Sequence, residues 1–214
     1  MLLKWEREQV VEYCKKLITA GLTKGTGGNI SVLNREAGLY AISPSGMDYF
    51  SMTPKDVVVM SLSGEIADGE KKPSSEWELH RIFYEKRKEL NAIVHTHSVY
   101  CTVLATNREG LPASSYMVAF AGKDVRCAEY ASFGTPELAQ TAYEGMKDRN
   151  AVLLANHGLV TGGSDILHAF QTAEQIEFCA EVYVKARSIG KPVILPEDEM
   201  ERMIERFQDY GQKV

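Results

Sequence analysis

Apolar residues near the start of the chain fall at Val10, Val11, Cys14, Leu17 and Ile18, the three-and-four spacing of one helical face. Gly21 stops that run, so a helix is predicted over about residues 4–20. A glycine-rich loop, Gly25-Thr26-Gly27-Gly28-Asn29, then leads into Ile30-Ser31-Val32-Leu33, and a turn at Asn34–Gly38 returns the chain through Leu39-Tyr40-Ala41-Ile42 as a hairpin. Asp56–Leu62 reads as a third strand, closed by the turn Ser63-Gly64-Glu65. Pro73-Ser74-Ser75 precedes a helical pattern from Glu76 to about Arg87, with Ser74 or Ser75 available as N-cap. The run Asn91-Ala92-Ile93-Val94 reads as a buried strand, followed by a helix from Val99 to Ala105, irregular or short-strand chain over 110–134, and a helix opened by Thr135-Pro136. Ala151–Asn156 is another strand, Ser164-Asp165 starts a long helix to about Ile189, and a last helix covers about 196–208.

Strands and helices mix without strict alternation, which predicts an α/β class sheet flanked by helices, with antiparallel pairs. No repeat and no long linker divides the chain, so one domain over 1–214 is expected. The balance of 24 basic against 29 acidic residues argues against a dedicated binder of nucleic acid or anionic membrane. No apolar stretch approaches the ~20 residues a bilayer span needs. The N-terminus turns charged at once and offers no signal-peptide core. Cys14, Cys101, Cys127 and Cys179 are scattered and read as reduced thiols, so a cytoplasmic protein is expected.

The chain has only five histidines, and two form His95-Thr96-His97 at the end of a predicted strand. Side chains two apart on a strand share a face, so both imidazoles converge. His157 follows a second strand. Three nitrogens meeting at one sheet edge, with a further open or carboxylate-filled position, match a catalytic zinc site; the plain alternative is surface and turn histidines. Glu76, in the first turn of its helix, is the best carboxylate candidate. A competing reading pairs it with His80, four residues on, as a further ligand or as a helix-surface partner. Glu78 and Glu85 are expected to face solvent, and His168 to pack or cap in the long helix.

Three small-residue turns, at 25–29, 43–46 and 73–75, are dense in backbone N–H groups and hydroxyls, the makings of phosphate-binding nests. The first is neither a dinucleotide fingerprint nor a Walker loop, since a strand follows it and no Gly-Lys-Ser/Thr is present. A cation beside a phosphate pocket points to a small phosphorylated substrate whose carbonyl is polarised, opening enediolate chemistry. The other route, a Schiff base on a desolvated lysine, lacks a lysine in any of the apolar runs 57–60, 91–94 and 151–155.

Thr26-Gly27-Gly28-Asn29-Ile30-Ser31, Ser43-Pro44-Ser45-Gly46, Pro73-Ser74-Ser75-Glu76, His95-Thr96-His97 and Asn156-His157-Gly158 together resemble the class II aldolase/adducin family, in order and separation, across nearly the whole chain. The resemblance implies a three-layer α/β/α sandwich with a largely antiparallel or mixed sheet, a homotetramer with sites at subunit interfaces, and one Zn2+ per subunit, with Mn2+ or Co2+ as substitutes. It implies that His95, His97, His157 and Glu76 hold the metal, with Glu76 leaving it to act as general base and acid. Gly28, Asn29, Ser45, Gly46, Ser74 and Ser75 fall on phosphate-binding positions. Tyr116 matches a tyrosine that enters a neighbouring subunit's site and takes the substrate's hydroxyl proton, and Tyr210 matches a tail tyrosine that closes over substrate. Glu129 stands where the family often has proline, a departure that touches no expected ligand. The implied reaction is reversible cleavage of a ketose 1-phosphate of the L-fuculose or 5-deoxyribulose type into dihydroxyacetone phosphate and a small aldehyde. Rival readings within the family are a pentulose-phosphate 4-epimerase, which tends to carry aspartate at position 76, a methylthioribulose-phosphate dehydratase, and a metal-free adducin-like binding module.

Overall fold

Successive residues of the central strands bury their side chains in two different cores, which requires cover on both faces of the sheet. In β5 (Ala92–Thr96), Ala92 and Val94 enter one core while Ile93 enters the other. β1 (Asn29–Asn34) divides in the same way, with Ile30 and Val32 on one side and Leu33 on the other. The computed structural model describes residues 1–208. Its remaining strands are β2 (Leu39–Ile42), β3 (Val58–Ser61), β4 (Ile66–Asp68), β6 (Arg126–Ala128), β7 (Ala151–Leu154) and β8 (Gly158–Gly163). They form one sheet in the order β4-β3-β2-β1-β5-β8-β7-β6, in which the β6–β7 pair is parallel and the others antiparallel.

One face is covered by α1 (Lys4–Thr19), α3 (Val99–Thr106) and α5 (Ile166–Ile189), the other by α2 (Trp77–Lys86) and α4 (Pro136–Gly145). α6 (Glu197–Gln208) packs on a 3-10 turn at Tyr116–Phe120. This is the expected three-layer α/β/α sandwich with a mixed sheet. The segment 110–134 is irregular as expected, apart from the 3-10 turn and β6. No helix among the described residues is long and apolar enough to cross a membrane. The cysteines are free thiols, Cys14, Cys101 and Cys179 buried and Cys127 partly so.

Two local readings change. β8 was not expected as a separate strand because Gly158-Leu159-Val160-Thr161-Gly162-Gly163 carries three glycines, which lower strand propensity. Its packing against α5 explains one of them: a Cβ on Gly163 would lie 2.5 Å from the backbone nitrogen of Ala169. α2 begins at Trp77, with Glu76 in the N-cap position. The Ser74 hydroxyl accepts the Glu76 N–H (3.2 Å), closing the turn before the helix and leaving the Glu76 side chain to point elsewhere. At the start of α5, Asp165 caps the N–H of His168 (2.9 Å) and pairs with its ring (2.6 Å), so exposed His168 belongs to a helix cap.

Candidate active site

His95 lies two residues beyond Ile93 and therefore faces the α2 side of the sheet; His97 continues just past the strand end. The β7–β8 hairpin brings the third ring alongside. Its three-residue loop, 155–157, places Asn156 in the left-handed region (φ 56°), which asparagine tolerates, and so returns His157 toward the sheet edge. The ring centroids of His95 and His97 are 4.8 Å apart, those of His95 and His157 4.8 Å, and those of His97 and His157 5.1 Å. Glu76 reaches in from the start of α2: its Oε2 lies 3.3 Å from His95 Nε2 and its Oε1 3.5 Å from His157 Nε2.

Three observations suit this cluster to holding a cation. His95 Nδ1–H donates to the carbonyl of Leu159 (3.0 Å), which leaves the Nε2 lone pair facing the cluster, the usual arrangement behind a ligating imidazole. That Nε2 stands 3.0 Å from His97 Nε2, and two lone pairs at this distance repel unless a proton or cation lies between them. Glu76 Oε1 is buried without a hydrogen-bond partner among the described residues, a costly state that a cation relieves. Burial, then the charges of His157 and His97, hold His95 well below the ordinary imidazole range, despite its bond to Leu159. Burial and His157 also lower His97, against the pull of Glu76. Both rings are thereby kept neutral and ready to ligate. Imidazole nitrogen plus carboxylate oxygen suits zinc and several other divalent ions.

Beside the cluster opens a cavity of about 330 Å³. All six phosphate candidates (Gly28, Asn29, Ser45, Gly46, Ser74 and Ser75) line it together with Glu76, His97 and His157. The three turns, distant in sequence, are tied side by side: Ser74 N–H donates to Ser43 O (3.0 Å), Ser45 N–H to Lys72 O (3.0 Å), and Ile30 N–H to the Ser43 hydroxyl (3.2 Å). Gly28 has φ 70°, and a Cβ there would meet the carbonyl oxygen of His95 at 2.7 Å, so only glycine lets the first turn lie against β5. Among the described residues the backbone N–H groups of Gly28, Gly46 and Ser75 donate to no protein acceptor, which leaves them for an anion.

The tyrosines fare differently. Tyr116 does not line the cavity; it is half exposed and stacks on Phe207 of α6 (6.2 Å, 12°). Tyr210 lies outside the described residues. Tyr130 and Phe133, 55% and 70% exposed, form an aromatic wall of the cavity. They escaped sequence reasoning because their segment has no periodicity. His80 is neither a ligand nor a helix-surface partner of Glu76. It is fully buried, and its Nε2 meets Asn29 Oδ1 (2.5 Å), while Asn29 Nδ2 donates to Glu76 Oε2 (2.9 Å). Glu85 is exposed as expected, whereas Glu78 is half-buried.

Burial, with a smaller push from His95, drives His80 from 6.5 down to about 3. The unfolded chain protonates this ring near pH 6.5 and the folded one does not, so the unfolded state binds more protons and folded stability falls as the pH drops from 6.5 toward 3. At about 1.4 kcal/mol per unit, His80 alone removes about 2 kcal/mol between pH 6.5 and 5. Urea midpoints of chelated protein should fall over that interval, and an unchanged midpoint would contradict a buried neutral His80.

The profile for the class II aldolase and adducin N-terminal domain matches residues 8–184. A 5-deoxy-D-ribulose 1-phosphate aldolase of Bacillus thuringiensis is 58% identical over 213 residues, covering 100% of both chains. A 5-methylthioribulose-1-phosphate/5-deoxyribulose-1-phosphate aldolase of Rhodospirillum rubrum is 42% identical, covering 96% of this chain and 92% of its own. Among solved structures, an L-fuculose 1-phosphate aldolase superposes with a TM-score of 0.95 at 51% identity, covering 97% of this chain and 98% of its own. With three histidines and a glutamate converging beside a cradle of free amides, and these matches running nearly end to end, the chain belongs to the class II aldolase and adducin family.

Proposed function

We propose that the protein is a zinc-dependent aldolase that reversibly cleaves a ketose 1-phosphate with a deoxygenated end, of the 5-deoxyribulose 1-phosphate or L-fuculose 1-phosphate type, into dihydroxyacetone phosphate and a small aldehyde. The observation that carries this reading is the meeting, at one cavity, of a histidine–glutamate cluster with a buried, unpartnered carboxylate oxygen and an amide-lined anion cradle. The names of the relatives and of the structural neighbour support the same chemistry.

His95, His97, His157 and Glu76 would hold a divalent cation, which would supply Lewis acidity for the negative charge that develops on carbon–carbon cleavage. The chain's own residues do the rest. The N–H groups of Gly28, Gly46 and Ser75 and the hydroxyls of Ser45, Ser74 and Ser75 seat the phosphate; the Ser74 oxygen already accepts from Glu76 N–H, so its own hydrogen is free to donate. Asn29, at the floor, divides its side chain between Glu76 and His80. As the C4 hydroxyl loses its proton, the C3–C4 bond breaks, its electrons pass into the enediolate and the aldehyde departs. Glu76, which takes up a proton from solvent as it leaves the cation, gives that proton to C3, completes dihydroxyacetone phosphate and returns to the carboxylate form. Tyr130 and Phe133 give the departing aldehyde an apolar wall suited to a terminal methyl.

Tyr116 is assigned to take the C4 hydroxyl proton as its own phenolic proton passes to solvent, acting in the site of a neighbouring copy within a homotetramer. Its exposure, and its absence from its own chain's cavity, support a role across an interface. Tyr210 is assigned to close over bound substrate. A coupled assay for dihydroxyacetone phosphate, run on ketose 1-phosphates with and without chelator, tests the proposal. Release that chelation stops and zinc restores is expected. No release, or an undiminished rate after chelation, overturns it, and conversion of ribulose 5-phosphate to xylulose 5-phosphate would establish the epimerase instead.

A further inference from the structure

Below the cluster, α2 and β1 face each other with matching polar stripes inside an apolar core. From the N-cap of α2 onward the stripe is Glu76, His80 and Tyr84, four apart; on β1 it is Asn29 and Ser31, two apart. Leu33, Leu79, Phe83 and Ile93 of the same core surround them. Ser31, His80 and Tyr84 have no exposed surface. Polar groups buried this deeply cost stability unless they are bonded to one another, and here they form an unbroken file. Tyr84 OH meets Ser31 Oγ (2.6 Å), Ser31 Oγ meets His80 Nδ1 (2.7 Å), His80 Nε2 meets Asn29 Oδ1 (2.5 Å), and Asn29 Nδ2 donates to Glu76 Oε2 (2.9 Å).

Counting hydrogens gives the file a direction. A carboxylate accepts only, so Asn29 must present its NH2 to Glu76 and its oxygen to His80. His80 therefore carries its hydrogen on Nε2, and its bare Nδ1 takes the Ser31 hydrogen. Ser31, having spent that hydrogen, accepts from Tyr84. Burial keeps the imidazole neutral, so it holds one hydrogen and the order is unambiguous. If the chain of bonds were cut at His80, the Asn29 amide would lose the partner that stops it turning over and setting its oxygen against the carboxylate.

We propose that Tyr84, Ser31 and His80 are positioning residues that lock the Asn29 amide and, through it, fix where the Glu76 carboxylate stands for proton transfer. The inference rests on the reading of Glu76 as the acid–base group.

The test compares His80→Phe, His80→Gln and Tyr84→Phe with wild type in the zinc-loaded protein. Glutamine keeps a donor toward Asn29 and an acceptor toward Ser31, whereas phenylalanine keeps neither. For His80→Phe, kcat and the exchange of solvent deuterium into dihydroxyacetone phosphate supplied alone should fall together by roughly 10–100-fold, the usual loss when a partner orienting a metal-site residue is removed. KM and bound zinc should stay near wild type, His80→Gln should recover most of the loss, and Tyr84→Phe should show a smaller fall in the same direction. Nitrogen-15 spectra of wild type should show the His80 hydrogen on Nε2. The inference is overturned by a folded His80→Phe with undiminished exchange, by a folded His80→Gln as impaired as His80→Phe, or by a hydrogen on Nδ1. If His80→Phe fails to fold, the other two variants and the spectra decide. Wild type inert in both assays would overturn the acid–base reading and this inference with it; an active wild type with an equally active His80→Phe overturns the inference alone.

Discussion

His97→Ala removes both the bound metal and the aldol cleavage, with a fall in kcat of roughly 10³-fold or more, equal to about 4 kcal/mol of transition-state stabilisation. The ring is one of three imidazoles whose ligand atoms lie within 4.8 Å of one another, and its Nε2 approaches His95 Nε2 to 3.0 Å. Without it two rings remain beside a carboxylate that must leave the cation to carry protons, so only two constant ligands are left, whereas loss of the carboxylate would leave three. No neighbour can take its place. The first turn packs directly beneath the ring, where a Cβ on Gly27 would come within 2.8 Å of His97 Nδ1. His168→Ala is the matched control, because that ring pairs with Asp165 and Ser164 on an exposed helix end and should leave metal content and rate intact. Metal analysis and the coupled assay on both proteins check this; one cation per chain and a normal rate in His97→Ala would remove His97 from the site.

The contrast between these two histidines was legible in the sequence, because each depends on local information. His95 and His97 are read from strand parity, and His168 from its place near the start of a helix. The three turns were also legible as turns, since glycine and serine at 25–29, 43–46 and 73–75 declare their backbone freedom and their donors. What escaped depended on neighbours remote in the chain. His80 sits four residues from Glu76, and any local view pairs them. Only the packing of α2 over β1 brings in Asn29 and Ser31, 51 and 49 residues away, and converts the expected surface pair into a buried file. β8 was hidden because its glycines answer to the β5 backbone, Leu90 and α5, not to strand propensity. Tyr130 and Phe133 lie in chain without periodicity, so nothing local distinguished them as cavity wall. The roles of Tyr116 and Tyr210 came only from family resemblance; the chain by itself presents Tyr116 as an exposed ring stacked on Phe207.

Glu76→Gln separates the two duties assigned to one carboxylate. The three imidazoles remain, so zinc should still bind, though more weakly, and metal content after dialysis should stay well above that of His97→Ala. Catalysis should not survive. A general acid–base group contributes about 10²–10⁴-fold, and kcat should fall within that range while KM changes little. Geometry adds a second penalty. Oε2 accepts from Asn29, and Oε1 is the buried, unpartnered atom turned toward His157. Glutamine must put its NH2 at one of these positions, either facing the Asn29 donor or displacing an acceptor from the cation cluster, and both are unfavourable. Deuterium exchange into dihydroxyacetone phosphate isolates the proton step from carbon–carbon cleavage and should be lost in parallel with kcat. A Glu76→Gln protein that exchanges within about tenfold of wild type would assign the proton transfer to another group, and Glu76 would then keep only its place among the ligands.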